Sequence, residues 1–163
     1  MDSEEKARIM YEHLLTDVTY TFLGDTSGSL TMPSLAIYGD LIRGFTEEDF
    51  IGINEQGIFL NLIFSPASNS ILKVNVPARA KVITIDYNQL SKYPRKESIA
   101  IILHEYGHAF NPQLKGEAGE FAADDFAINH NYGEALKQSL ERNIRENPNE
   151  FDKEITHTRI GRI

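Results

Sequence analysis

The stretch "HEYGHAFNPQLKGEAGEFAADDFAINH", residues 104–130, carries the most informative side chains of this chain. It opens with two histidines four residues apart, His104 and His108, and Glu105 directly follows the first. Residues at i and i+4 share one face of a helix, about one turn apart, so both imidazoles can reach one metal ion. A second acidic cluster follows, formed by Glu117, Glu120, Asp124 and Asp125.

The first half of the stretch matches the H-E-x-x-H pattern of metal-dependent hydrolases. In this pattern Glu105 lies beside the metal without being a natural ligand, which suits it to accept a proton from a metal-bound water. The apolar segment "SIAIIL" precedes the motif and predicts a buried helix, where charged groups need a reason to be present. Two incidental surface histidines are the alternative, which the spacing and the apolar flank disfavour. Gly107 indicates either close approach by a neighbouring backbone or substrate, or tight helix packing.

The third metal ligand is expected to be acidic. The chain has no cysteine, and no third histidine follows at the short spacing that some zinc peptidases use, where Leu114 stands. Glu117, Glu120 and Asp124 share one face of a predicted second helix. Asp125 is rotated by about 100° from Asp124 around the helix axis and is predicted to face solvent. Helical periodicity leaves Glu117 and Glu120 both open as the ligand.

The rest of the chain predicts an α+β fold in a single domain, residues 1–163. A helix is expected from residue 3 to about 22, with Ser3 as its cap, and three more at 97–110, 117–130 and 134–147. Short segments rich in β-branched and aromatic residues predict strands between them, with turns at "NEQG" and "SPASNS". These segments are "LAIYGDLI" (35–42), "FIGI" (50–53), "GIFLNLIF" (57–64), "ILKVNV" (71–76) and "AKVITIDYN" (80–88).

Composition and charge restrict the classes of partner and the cellular location that are expected for this protein. The formal charge is −8, with 24 acidic and 16 basic residues, which argues against a nucleic-acid partner. No run of 18 apolar residues is present, so no membrane span is expected. The N-terminus lacks the apolar core of a signal peptide, and the absence of cysteine fits a reducing compartment. A cytoplasmic location is therefore expected.

The segment "EFAADDFA" (120–127) resembles the E-x-x-A-D-x-x-A signature of the CAAX prenyl protease and HtpX group of gluzincin metallopeptidases. The resemblance implies that Glu120 is the third zinc ligand and that Asp124 hydrogen-bonds a ligating histidine. The tail "THTRIGRI" (156–163) is similar to the family's S/T-H-P-x-x-x-x-R segment. This similarity implies that His157 stabilises the oxyanion and that Arg162 has a structural or substrate-side role. The chain departs from the family in lacking its membrane helices, in a much shorter gap before Glu120, and in Thr158 replacing the proline.

A second family is similar in another register. "EAGEFAA" (117–123) resembles the E-A-N-x-F-A-A segment of the ImmA/IrrE metallopeptidases, which would make Glu117 the ligand. Only the alignment with the CAAX prenyl protease and HtpX group explains Asp124 and His157, so Glu120 is preferred as the third ligand. Both resemblances imply a minimal zincin fold with a small twisted sheet beside the H-E-x-x-H helix. In that fold "KVITIDYN" (81–88) could be the edge strand that pairs with an extended substrate, although an ordinary interior strand is equally compatible.

The expected function is a zinc-dependent metallopeptidase, an endopeptidase acting on a protein or peptide substrate. One Zn²⁺ would be bound by His104, His108 and Glu120, with Glu105 as general base. The alternative is a non-catalytic binding or regulatory module that a metal stabilises. Glu105 argues against that alternative, because a purely structural site has no use for a general base.

Overall fold

The computed structural model describes residues 1–14, 31–63, 79–146 and 153–163, and these form an α+β fold of helices with a small parallel sheet. By internal contacts the chain divides into two compact units, Met1–Leu90 and Ser91–Ile163. The predictions of a single domain over residues 1–163 and of a sheet beside the H-E-x-x-H helix stay predictions.

The first unit combines helices with a parallel strand pair. The two strands pair in register from Ile58 with Lys81 to Ile63 with Asp86, and Leu14 adds a bridge to Leu60. The strands predicted at 57–64 and 80–88 are confirmed over residues 58–63 and 81–86, whereas Tyr87 and Asn88 begin a short helix. Phe64, "ILKVNV" and "SPASNS" lie outside the described residues. The described elements are α1 (Ser3–Glu12), α2 (Thr31–Gly44), α3 (Glu47–Gln56), β1 (Ile58–Ile63), β2 (Lys81–Asp86) and α4 (Tyr87–Leu90).

The N-terminal helix is confirmed as α1, although its cap differs from the prediction. Asp2, and not Ser3, is the N-cap, and its side chain accepts a hydrogen bond from the backbone N–H of Glu5. An aspartate before the first turn also offers a negative charge to the positive end of the helix dipole. The predicted extension to about residue 22 is wrong at its first residues, because α1 ends at Glu12, His13 is its C-cap and Leu14 forms a β-bridge. Residues 15–22 lie outside the described residues.

Two predicted strands, at 35–42 and 50–53, are wrong, because these residues lie in helices α2 and α3. The buried residues Ile37 and Leu41 of α2, and Phe45 directly after it, recur every four positions, which buries one helical face. α3 begins with a capping box in which Thr46 and Asp49 exchange side-chain-to-backbone hydrogen bonds. It ends at Gly57, whose φ of 59° is a left-handed cap conformation that glycine adopts without strain. The predicted turn "NEQG" is thus the end of a helix.

The second unit is helical and contains the motif stretch. Its helices are α5 (Arg95–Phe110), α6 (Gly116–Asn129), α7 (Gly133–Glu146) and α8 (Lys153–Arg162). The first three confirm the predicted helices, and α8 lies in a tail for which no secondary structure was predicted. The Glu97 carboxylate is buried at the start of α5 and accepts two hydrogen bonds of 2.9 Å from Arg142 on α7.

Gly107 allows α5 and α6 to approach within backbone contact. A Cβ atom at this position would lie 2.6 Å from the Cα of Ala123 and 2.9 Å from its carbonyl oxygen. Carbon atoms in contact are separated by about 3.5–4.0 Å, so only glycine fits here. Tight helix packing therefore accounts for Gly107, and the two helices that carry the motif residues lie close together. Among the described residues, none of the helices has the length and apolar character that crossing a membrane requires.

Candidate metal centre

The two motif histidines lie one turn apart on α5 and face each other. Their Nε2 atoms are 3.1 Å apart, and their rings are nearly perpendicular, with an interplanar angle of 88°. His104 is buried and His108 is half-buried. The strongly apolar residues around them, among them Ile102, Leu103 and Tyr106, are fully buried and fix this helix in the unit. The histidines therefore stand at the boundary between the core and solvent.

Glu120 on α6 completes a triangle of three donor groups. Its Oε2 lies 3.5 Å from Nε2 of His104, and its other oxygen, Oε1, lies 3.4 Å from Nε2 of His108. Two ligands of a tetrahedral zinc ion with bonds of about 2.0–2.1 Å are separated by about 3.3–3.4 Å. The Nε2–Nε2 separation of 3.1 Å is close to that value, and each Nε2 has one oxygen of Glu120 at a similar distance. His104, His108 and Glu120 could thus hold one metal ion.

Asp124 orients the first histidine. It lies one turn after Glu120, is completely buried, and places Oδ1 2.9 Å from Nδ1 of His104. With Asp124 ionised, Nδ1 carries the proton and donates to the carboxylate. In the neutral ring the lone pair is then on Nε2, the atom that faces His108 and Glu120. A carboxylate in this position fixes the tautomer and increases the basicity of a metal-binding imidazole.

Arg159 on α8 joins the cluster from the third side. Its Nε and Nη2 donate to the two oxygens of Asp124 at 2.9 and 2.7 Å, and its Nη1 lies 2.7 Å from Oε2 of Glu120. Nη2 is also 3.4 Å from Nδ1 of His104. The guanidinium is nearly buried, with 11% of its side chain exposed. One cation therefore contacts two carboxylates whose separation is one helical turn.

The mutual hydrogen bonds shift the pKa values of the cluster. Burial lowers the pKa of His104, but its hydrogen bonds to the carboxylates of Asp124 and Glu120 outweigh the effect of burial. The pKa of His104 is therefore raised above the ordinary value. Hydrogen bonds from His104 and His108 hold the pKa of Glu120 well below its usual range. Burial raises the pKa of Asp124, yet its bonds to His104 and Arg159 prevail and lower it. Both carboxylates are therefore anionic at neutral pH, as metal binding requires.

Glu105 is half-buried, as are His108 and Ile101, whereas the opposite face of α5 is buried. On a helix Glu105 is rotated about 60° from His108, so the two side chains leave α5 on neighbouring sides. A Cβ atom at Gly119, on the facing helix, would lie 3.1 Å from the backbone carbonyl oxygen of Leu114 and 4.0 Å from the imidazole Cε1 of His108. Glu105 and His108 are therefore the more accessible side chains of the motif.

Two of the predicted acidic residues lie outside the cluster. Glu117 is exposed in the first turn of α6, so the structure brings Glu120 and not Glu117 to the histidines. Asp125 faces solvent, as predicted, and pairs with Arg162 at 3.2 Å. The Arg162 guanidinium also lies over the ring of Phe121, 4.0 Å from its centroid. Arg162 thus links α8 to the outer face of α6.

His157 does not reach the cluster. It is exposed, and its Nδ1 lies against the backbone carbonyl oxygen of Lys153 in the preceding turn of α8. Two residues along a helix correspond to a rotation of about 200°, so His157 and Arg159 point to opposite sides. The buried Thr156, three residues before Arg159, marks the inward face. The residue of the tail that contacts the cluster is therefore Arg159 in place of His157.

Sequence reasoning missed Arg159. The only signal that could have found it is helical periodicity in the tail, which would place Thr156 and Arg159 on one inward face. The family resemblance directed attention to His157 and Arg162 instead.

Comparison of the chain with protein-family models, with curated proteins and with solved structures finds no match.

Proposed function

We propose that this chain is a zinc-dependent metallopeptidase whose metal ion is bound by His104, His108 and Glu120. The single observation that supports this most is the convergence of three donor groups: the two Nε2 atoms are 3.1 Å apart, and each lies 3.4–3.5 Å from one oxygen of Glu120. Two imidazole nitrogens and one carboxylate favour zinc over calcium or magnesium, which take mainly oxygen ligands. Two histidines with one glutamate is also a donor set of zinc peptidases.

Three donors, and not four, are found among the described residues, which favours a hydrolytic role over a structural one. Structural zinc sites are closed by four protein ligands, whereas catalytic sites keep one position open. When bound, zinc polarises a carbonyl group and lowers the pKa of a bound water. Glu105, which is half-buried, is the proposed general base that takes the proton of the attacking water and delivers it to the leaving amine. Asp124 keeps His104 in the tautomer with a free Nε2 lone pair.

A protein or peptide substrate in the cytoplasm is part of the proposal. The H-E-x-x-H pattern and the resemblance to the CAAX prenyl protease and HtpX group support peptide-bond hydrolysis. The absence of cysteine supports a reducing compartment. The resemblance further supports an endopeptidase.

Metal analysis of single variants tests the ligand set. Wild-type protein should bind one zinc ion, and Glu120→Ala should lose it while Glu117→Ala retains it, because Glu117 is exposed and outside the triangle. Loss of zinc only in Glu117→Ala would overturn the assignment of Glu120. Circular dichroism of each variant checks that the helices remain folded.

Turnover separates the peptidase from the non-catalytic module. Glu105→Gln should keep full zinc content and lose cleavage of a peptide library by a factor of about 10²–10⁴, the usual contribution of a general base. Cleavage at the wild-type rate by this variant would refute the role of Glu105. Zinc binding with a chelator-sensitive melting temperature but no cleavage by wild-type protein would support the non-catalytic module.

A further inference from the structure

Arg159 has a set of contacts that metal ligation alone does not explain. It does not belong to the donor triangle, yet its three guanidinium nitrogens contact Asp124, Glu120 and His104 at 2.7–3.4 Å. It also comes from α8, a different helix from either of those that carry the ligands. The arrangement of the three proposed ligands therefore depends on α8, a helix that carries none of them.

The charges around Asp124 require a cation. Asp124 is completely buried, and a buried carboxylate without a partner is strongly unfavourable. His104 can supply a positive charge only when it is protonated, and a protonated imidazole cannot bind a metal. In the state that is ready for metal, the remaining cation in contact with Asp124 among the described residues is Arg159. Arg159 thus allows Asp124 to remain ionised while His104 is neutral.

The shape of the guanidinium matters as well as its charge. Nε and Nη2 donate to different oxygens of Asp124, the two-point arrangement that fixes the plane of a carboxylate. In that plane Oδ1 accepts the proton on Nδ1 of His104 at 2.9 Å. Nη1 meanwhile contacts the ligand oxygen Oε2 of Glu120 at 2.7 Å. A lysine has the charge but offers only a point donor, without the planar fork.

We propose that Arg159 is a positioning residue of the metal centre, which holds Asp124 and Glu120 so that His104 presents Nε2 to the metal. The inference rests on the proposed metal site. An opposite effect is physically possible, because a cation beside the site repels a divalent ion. The two effects predict changes of opposite sign when the arginine is removed, so measurement can separate them.

Zinc affinity of three variants provides the test. Removal of a hydrogen-bonding partner behind a metal ligand weakens metal binding by about 10–100-fold. We expect Arg159→Ala to show such a loss, and Arg159→Lys to lose several-fold although the charge is kept. Arg162→Ala is the matched control, since it removes the contact of α8 with the exposed Asp125 and should leave affinity unchanged. Unchanged or tighter binding by Arg159→Ala, wild-type affinity of Arg159→Lys, or an equal loss in Arg162→Ala would overturn the proposal.

Histidine NMR of the metal-free protein gives a second readout that does not depend on zinc. At a pH where the ring is neutral, ¹⁵N shifts should place the proton of His104 on Nδ1 in wild-type protein and in Arg162→Ala. In Arg159→Ala the two tautomers should become mixed, and the same tautomer as wild type would refute the positioning role. If wild-type protein binds no zinc, the proposed function fails, whereas the tautomer of His104 still decides whether Arg159 positions it.

Discussion

Replacement of Gly107 by alanine tests whether the close approach of α5 and α6 forms the metal site. The added methyl group would lie 2.6 Å from the Cα of Ala123 and 2.9 Å from both its carbonyl oxygen and the Cβ of Phe126. Contact distances between carbon atoms are about 3.5–4.0 Å, so the shortfall is about 1 Å. Two of the three obstructing atoms are backbone atoms, which cannot move away by a rotamer change. The helices must therefore separate.

The magnitude follows from two opposing effects. Overpacking of a well-packed core costs about 1–3 kcal/mol, and backbone obstruction argues for the upper end. Alanine is favoured over glycine in a helix by about 1 kcal/mol, which offsets part of this cost. We expect Gly107→Ala to lower the free energy of unfolding by about 2 kcal/mol, and with it the melting temperature by about 4–8 °C for a chain of this size. A separation of about 1 Å would also move Glu120 away from the histidines and weaken zinc binding, since such sites tolerate displacements of only about 0.5 Å.

Thermal unfolding and zinc titration of Gly107→Ala can be compared with those of Gly161→Ala. Gly161 lies in α8, and a Cβ atom there would meet nothing within 4 Å. The control should therefore be neutral or up to about 1 kcal/mol more stable, because it gains helix propensity without a clash. If Gly107→Ala were as stable as this control and bound zinc as tightly as wild-type protein, the proposed dependence of the site on backbone contact would be wrong.

Two further predictions concern the buried ion pair and the proton dependence of the site. Arg142→Ala should lower the free energy of unfolding by about 2–4 kcal/mol in urea denaturation, because the buried carboxylate of Glu97 loses both hydrogen bonds to the guanidinium. Arg145→Ala, which breaks only an exposed pair with Glu146, should change it by less than about 0.5 kcal/mol, and equal effects would contradict the argument.

In calorimetric titrations, apparent zinc affinity should rise with pH to a point above the ordinary histidine value of 6.5. Burial lowers the pKa of His104, but its hydrogen bonds to Asp124 and Glu120 raise it further, so a proton still competes with the metal just above pH 6.5. A constant affinity there would refute this.

Helices α5, α6 and α7 of the second unit were predictable because their signals are local. The motif spacing, the proline after Asn111 and the glycines near the helix ends set α5 and α6 to within about two residues of the prediction.

In the first unit the segment at 35–42 misled, because its isoleucines and tyrosine favour strands by composition. The spacing of four residues between Ile37 and Leu41, which are both buried, and the capping box at Thr46 are the signals that favoured helices. Spacing was a better guide there than β propensity.

The candidate site was predictable where its residues lie on one helix and unpredictable where they come from several. His104 and His108 follow from a spacing of four on α5. Helical periodicity left Glu117 and Glu120 equally possible, since both lie on one face of α6. The choice depends on where α6 meets α5, and the contact at Gly107 determines this. Arg159 lies on a third helix, α8, so its contact with the site is set by tertiary packing and has only a weak signal in the local sequence.

The charges of the cluster are paired within the protein. In the described residues every buried side-chain nitrogen and oxygen has a hydrogen-bond partner, the carboxylate of Asp124 included. Arg159 contacts both carboxylates of the cluster, and both histidines contact Glu120. These contacts restrict Glu120 and His104 to positions from which they could bind a metal ion as proposed. A hydrolytic centre would benefit from this, because ligands held in place by other side chains leave the fourth position free for the reaction.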